Sequence, residues 1–360
     1  MDRRDFLKKA GVGVAASTVF GPVFAQTAPT IRWRLASSFP KSLDTIFGAA
    51  EVLTKALSDL TDGKFQIRAF PSGEIVPGLQ VLDAVQQGTV EVGHTASYYY
   101  IGKNPALAFD TALPFGLNAR QQNAWLYKAG GLELMREVLS DFNIINFPGG
   151  NTGAQMGGWW RKEVKTLGDV KGIKFRIPGL GGVVWSRLGV VPQTIAGGEI
   201  YPALERGTID GAEWVGPYDD EKLGFYKIAK YYYYPGWWEP GPGLSFYINL
   251  DQWKKLPKDY QRAFEIAAYQ ANVDMMADYD AKNPAAFRRL LGQGVQIKKF
   301  SREILKAAQE AAFDLYNEEA AKSAQYKKIL TNWDQFRKDS SRVMTVHELS
   351  YEEYMFPQIV

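Results

Sequence analysis

From Ile31 onward, short runs rich in β-branched and aromatic residues alternate with longer stretches whose apolar residues recur every three or four positions. Residues 31–36 read as a strand and residues 37–40 as a loop. Ile46, Ala49, Leu53 and Leu57 then fall on one helix face, and residues 64–70 form a second strand. Further on, residues 154–160 and 172–178 read as strands and residues 183–188 as a helix. Residues 231–249 are aromatic and turn-rich, ending in a strand at 245–250 that crosses back towards the first half. Helical spacing dominates residues 257–328, with Ser301 and Glu303 predicting an N-cap, and the tail after Trp333 is mixed. Strands alternating with helices predict an α/β fold with largely parallel sheets.

One pattern occurs twice. Gly73-Glu74-Ile75-Val76-Pro77, a helix, and Gln87-Gly88-Thr89-Val90-Glu91-Val92-Gly93 form the first copy. Gly198-Glu199-Ile200-Tyr201-Pro202, a shorter helix, and Arg206-Gly207-Thr208-Ile209-Asp210-Gly211-Ala212 form the second. Each reads as turn, helix, glycine stop and short strand. Residues 97–100 (Ser-Tyr-Tyr-Tyr) follow the first strand and Glu213-Trp214 the second. Two similar half-sites suggest a ligand held in a cleft between two domains.

Length agrees, because 360 residues exceed one ordinary core. We expect residues 26–150 with about 240–272 in one domain, and 151–239 with about 273–330 in the other, leaving 331–360 as a C-terminal tail. The first 25 residues read as an export signal. Arg3, Arg4, Lys8 and Lys9 lead an apolar stretch that ends Val23-Phe24-Ala25, with cleavage expected after Ala25. Arg3-Arg4-Asp5-Phe6-Leu7-Lys8 resembles a twin-arginine signal; an amphipathic anchor is the other reading. The net charge is +3, of which these residues, with Asp2 and Asp5, supply +2. The near-neutral body has no broad electrostatic reason to bind nucleic acid or an anionic membrane. The absence of cysteine excludes disulfides, thiolate metal sites and a lipoprotein anchor.

Enzyme templates fit badly. The two histidines, His94 and His347, lie far apart, and no nucleophile elbow or phosphate loop is present. Gly179-Leu180-Gly181-Gly182 reads as a turn. A binding site uses the residues better. Arg176 ends a strand just before Pro178, where its guanidinium can reach a cleft and match a carboxylate in bidentate geometry. Taken alone, such an arginine is more often a solvated or structural ion pair. Glu213 and Glu239 with the Gln155 amide oxygen suit a hard cation; taken alone, such residues more often form surface salt bridges or caps. Tyr98, Tyr99, Tyr100, Trp159, Trp160, Trp214, Trp237 and Trp238 could line a pocket, though most must be core.

Residues 166–178 (Thr-Leu-Gly-Asp-Val-Lys-Gly-Ile-Lys-Phe-Arg-Ile-Pro) and 203–214 (Ala-Leu-Glu-Arg-Gly-Thr-Ile-Asp-Gly-Ala-Glu-Trp) resemble the signature of solute-binding proteins of tripartite ATP-independent periplasmic (TRAP) transporters. The resemblance spans about residues 31–316 and implies a periplasmic-binding-protein-like fold with a ligand cleft between domains and a long C-terminal helix. It implies that Arg176 clamps a substrate carboxylate. Around Gln155, Glu213-Trp214 and Trp238-Glu239-Pro240-Gly241 the chain is similar to the subgroup that binds 2-oxo or 2-hydroxy monocarboxylates with a metal cation, sodium or calcium. That implies Gln155, Glu213, the Trp214 carbonyl and Glu239 as cation ligands, with a second substrate anchor from the tyrosines, Tyr99 and Tyr100 foremost. The implied partners are a pyruvate-like monocarboxylate and the TRAP permease subunits, met in the periplasm. Dimerisation through the C-terminal helix and packing of that helix on its own chain fit the pattern equally. The rival readings are a carbohydrate-binding protein, suggested by ten tryptophans, and a hydrolase using Glu213 and Glu239.

Overall fold

Both copies of the repeated pattern end the same way. The helix Val81–Gln86 stops at Gly88 and the helix Gly197–Glu205 stops at Gly207, each glycine at φ +73°. Thr89 N–H bonds the Ala84 carbonyl at 2.8 Å, and Thr208 N–H bonds that of Ala203 at 3.0 Å. This is a Schellman closure, which needs a left-handed residue that glycine supplies without a Cβ penalty. Each stop feeds a short strand, Val92–Thr95 (β3) or Gly211–Ala212 (β8). The computed structural model describes residues 29–358, so the expected export signal lies outside the described residues.

From Ile31 onward the chain is one compact unit containing two sheets. The first joins Ile31–Ser37 (β1), Phe65–Phe70 (β2), β3, Ile144–Asn151 (β4) and Gly243–Asn249 (β10) in the order β2-β1-β3-β10-β4. The second joins Trp159–Trp160 (β5), Lys174–Arg176 (β6), Val191–Gln193 (β7), β8, Tyr231–Tyr234 (β9) and Gln296–Lys299 (β11) in the order β11-β9-β5-β8-β6-β7. Reversed, the second order repeats the first, with β11 added at one edge. In each sheet one strand runs against its neighbours, β10 in the first and β5 in the second. These are the strands by which the chain enters a sheet from the other one. The sheets are therefore mixed, with antiparallel pairs beside β3 and β8, where largely parallel sheets were expected.

The two crossing segments lie side by side. Gln155 N–H bonds the Glu239 carbonyl at 3.1 Å, and Gly236 N–H bonds that of Gln155 at 3.0 Å. Residues 154–158, expected as strand, are irregular, because Gly153 and Gly158 take φ +70° and +73°. A Cβ at Gly158 would sit 2.7 Å from the Ala212 carbonyl oxygen. The glycine-rich segment expected as a turn instead begins the helix Gly179–Arg187. Packing overrides glycine's poor helix propensity there: a Cβ at Gly181 would lie 2.7 Å from Trp238 Cβ.

The helix Lys258–Gly292 packs on β4, on the helix Gly48–Leu60 and on the helix Pro217–Leu223, so it touches elements flanking both sheets. Ser301 caps the helix Arg302–Lys322, its hydroxyl accepting from Ile304 N–H at 3.3 Å. The expected mixed tail is helical. Ala324–Met344 buries Tyr326, Ile329 and Trp333, and a further turn at Ser350–Met355 leaves Tyr351 and Tyr354 exposed.

Candidate functional site

Strand β6 ends on Arg176, and the chain leaving β8 carries Glu213, Trp214 and Val215 beside it. Arg176 is 1% exposed and Glu213 is fully buried, and they form an ion pair. Arg176 Nη1 also donates to the Glu213 carbonyl at 3.0 Å, and Nε donates to that of Ile195 at 3.0 Å. Its guanidinium carbon lies 5.1 Å from the Trp214 ring centre. Among the described residues Nη2 has no close hydrogen-bond partner, although the guanidinium interacts with the Tyr99 hydroxyl. A guanidinium pinned on two sides keeps its remaining edge pre-organised for one further acceptor. The bidentate reach expected from sequence is narrowed, because Nη1 is already committed to Glu213.

Arg176 faces a small cavity of about 10 Å³, lined also by Tyr98, Tyr99, Gln155, Trp214 and Val215, with Phe39 and Ile46 from the first sheet's side. Elements of both sheets and both crossing segments therefore converge there. Glu213 and Glu239 are buried and are not among the lining residues. Among the described residues, Gln155 Oε1, Glu213 Oε2 and Glu239 Oε2 are buried without a close hydrogen-bond partner, although the Trp238 side chain interacts with the Glu213 carboxyl and that of Tyr98 with the Glu239 carboxyl. Buried oxygens without donors are costly. Burial pushes the Glu213 carboxyl up despite Arg176, and burial with the Glu213 charge holds Glu239 well above the usual carboxylate range. One cationic side chain thus faces two buried acids. A hard cation fits this donor set: two carboxylates, an amide oxygen and nearby carbonyls. Among the described residues, no three His, Cys, Asp or Glu side chains gather into a group that could hold a metal ion.

Tyr98, Tyr99 and Tyr100 occupy a 3₁₀ turn, Ser97–Tyr100, whose successive side chains point about 120° apart. Tyr98 and Tyr99 reach the cavity. Tyr100 does not, which corrects its expected place at the substrate: it turns into the first sheet's core, where its hydroxyl pairs with Thr95 Oγ1 at 2.9 Å and accepts from Leu82 N–H at 3.2 Å. Tyr98 takes its place among the lining residues. Trp159, Trp160, Trp237 and Trp238 are core. Trp159 stacks on Tyr232 at 3.9 Å, Trp160 on Phe175 at 4.2 Å, and Trp237 on Phe115 at 5.1 Å. Trp238 packs edge-on to Trp185.

Two buried acids that sequence reasoning missed support the wall. Asp219 accepts from Trp214 Nε1 at 3.2 Å and from the Tyr279 hydroxyl at 2.7 Å. Asp220 accepts from Trp159 Nε1 at 2.9 Å, the Tyr232 hydroxyl at 2.7 Å and Val215 N–H at 3.2 Å. Burial raises Asp219 to about 7 and Asp220 to about 6. Their adjacency in a Pro-Tyr-Asp-Asp helix start gave no signal beyond a favourable helix dipole.

Two sheets of matching topology, joined by paired crossings and enclosing a charged cavity, define the class of solute-binding folds. The chain belongs to the bacterial extracellular solute-binding protein family 7 (DctP), whose pattern matches residues 36–323. It is 54% identical over 360 residues to a monocarboxylate 2-oxoacid-binding periplasmic protein of Nostoc sp. (strain PCC 7120), covering 98% of this chain and 99% of that one. A TRAP transporter solute-binding protein from Bordetella bronchiseptica RB50 superposes with a TM-score of 0.91 at 51% identity, over 92% of this chain and 98% of that one. That structure is a mixed-occupancy dimer with copurified calcium and picolinate in one active site. A TRAP periplasmic solute-binding protein from Pseudoalteromonas atlantica, with bound sodium and pyruvate, superposes with a TM-score of 0.88 at 38% identity, over 90% and 99% of the two chains.

Proposed function

We propose that this chain is a periplasmic solute-binding protein that takes up a small 2-oxo or 2-hydroxy monocarboxylate, pyruvate-like, together with a metal cation, and presents it to a TRAP membrane permease. One observation supports the reading: Arg176 and Gln155 line the cavity, Arg176 Nη2 and Gln155 Oε1 being without a hydrogen-bond partner among the described residues, while Glu213, ion-paired with Arg176, and Glu239 are buried acids outside that lining. A carboxylate entering alone would meet Arg176 but also two acids. A cation held by Gln155, Glu213, Glu239 and the Trp214 carbonyl removes that repulsion and attracts the ligand's oxygens. Arg176 Nη2 then takes one carboxylate oxygen, and the Tyr98 and Tyr99 hydroxyls border the rest. The relatives that bind 2-oxoacids, or pyruvate with sodium, support this substrate class.

Membership of a solute-binding family supports binding without turnover. The carbohydrate reading loses its support because most candidate tryptophans pack against other core rings. The dimer remains part of the proposal, through the helix beyond Ser323 whose exposed Tyr351 and Tyr354 continue past the body. Calorimetry with pyruvate, lactate, 2-oxobutyrate and succinate tests the substrate class. Heats are expected for the three monocarboxylates in the presence of calcium or sodium, and none for the dicarboxylate; negligible heats for all four refute it. Arg176→Ala abolishes binding if the clamp is correctly placed, and tight residual binding removes Arg176 from that role.

A further inference from the structure

Trp214 is gripped at two points by the adjacent acids Asp219 and Asp220, neither of which lines the cavity. Asp219 holds the indole through Nε1 and is itself tied to Tyr279 on the long helix. Asp220 holds the following peptide: its Oδ1 accepts from Val215 N–H while its Oδ2 accepts from Trp159 and Tyr232. In a trans peptide the N–H and the preceding carbonyl point in opposite directions. Fixing Val215 N–H on Asp220 therefore aims the Trp214 carbonyl away from Asp220. The flanking carbonyls are taken, that of Glu213 by Arg176 and that of Val215 by Met156 N–H at 3.0 Å. The Trp214 carbonyl accepts no hydrogen bond among the described residues.

We infer that Asp220 is a positioning residue for the cation: it locks the Trp214–Val215 peptide so that the Trp214 carbonyl is presented to the cavity as a ready-made oxygen ligand, while Asp219 keeps the indole from swinging. The inference rests on the cation reading above. It is the peptide counterpart of the outer partners that orient side-chain ligands of metals.

The test follows from the acceptor count. In Asp220→Asn the amide offers one acceptor to two opposed N–H groups, of Val215 and Trp159, so one of them is always confronted by the amide's own NH₂. Trp159→Phe removes the competing donor and lets the amide oxygen return to Val215. Calcium affinity is measured by calorimetry at saturating pyruvate, with thermal unfolding as the check on folding. Trp159→Phe is expected within about threefold of wild type. Asp220→Asn is expected to lose at least tenfold, within the range seen when a metal's outer partners are removed. The double variant is expected to recover most of that loss. A purely structural role predicts instead that the second core substitution adds to the damage. Asp220→Asn binding calcium as wild type does, or a double variant weaker than Asp220→Asn, overturns the inference. A second readout needs no variant. In isotope-labelled wild type, the Trp214 carbonyl ¹³C resonance should shift on adding calcium and pyruvate while the Val215 amide stays hydrogen-bonded; an unmoved carbonyl refutes the role. Wild type that takes no calcium or sodium at all sinks the cation reading itself, and the inference with it.

Discussion

Replacing Glu239 by glutamine should strengthen the cation-free protein and abolish its response to cations. Glu213 is offset by Arg176, but Glu239 is 2% exposed and has no basic partner of its own. Burial and the Glu213 charge hold its carboxyl well above the ordinary value of 4.5, with Arg176 offsetting part of the effect. A carboxyl raised in the folded state contributes stability that is complete below its unfolded pKa and is lost as pH rises towards the folded one. The loss runs at up to about 1.4 kcal/mol per pH unit. Between pH 5 and pH 7 glutamine therefore gains on glutamate by up to roughly 3 kcal/mol, several degrees of Tm for a chain of this size. Wild type recovers stability when a cation binds, by about 2.7 kcal/mol at a hundredfold excess over Kd. Glu239→Gln should show no such gain. The assay is thermal unfolding at pH 5 and 7, chelated and with calcium. A variant less stable than wild type at pH 7 without cation, or one whose Tm rises with calcium as wild type's does, refutes the reasoning.

Gly197→Ala should weaken ligand binding at least fivefold in calorimetry while the chain stays folded. Its Cβ would meet Trp214 Cη2 at 2.5 Å and push the ring towards the cavity, a strain of about 1–3 kcal/mol. Affinity equal to wild type would show that the ring yields elsewhere. His94 is wedged between Phe39 and Phe246, and burial lowers its pKa from 6.5 to about 3. The unfolded chain then takes up the proton first, so this residue's stability contribution is full above 6.5 and falls as pH drops towards 3. Denaturation of His94→Phe at pH 7 and 5 should show the variant gaining about 2 kcal/mol on wild type; parallel changes would contradict the burial effect. Asp44, in the loop after β1, pairs with Lys222 and Lys282 and accepts from the Tyr218 hydroxyl at 3.0 Å, tying the first sheet's side to helices beside the second. Asp44→Asn should speed ligand release two- to fivefold in stopped flow, a difference that vanishes in 1 M salt. A release rate unaffected by the substitution at low salt would remove the tie.

What could be read from sequence was what local geometry dictates. The glycine stops at Gly88 and Gly207 were visible because a Schellman closure needs a left-handed residue at that spot whatever surrounds it. The Ser301 cap was visible for the same reason. Strand β4 was not, because its Pro148-Gly149-Gly150 reads as a loop; Gly149 is there because a Cβ would lie 2.5 Å from the Phe246 ring on β10, a partner about a hundred residues away. At the site, Arg176 and Glu213 could be named from their places at strand ends, but not their mutual ion pair, which redirects the arginine's free edge. Tyr98 and Tyr100 differ only by position on one turn, and the donor at Leu82 decides which of them points inward. Asp219 and Asp220 carried no signal, since their partners Trp159, Tyr232 and Tyr279 meet them only in the fold.

On the proposed function, Arg176 and a cation held by Gln155, Glu213, Glu239 and Trp214 together receive one carboxylate. Calorimetric titration of pyruvate into chelated protein, then into the same protein with calcium or sodium restored, tests it most directly. Tight binding is expected with a cation, and a loss of at least a hundredfold without one. Equal affinity in the two titrations would contradict it.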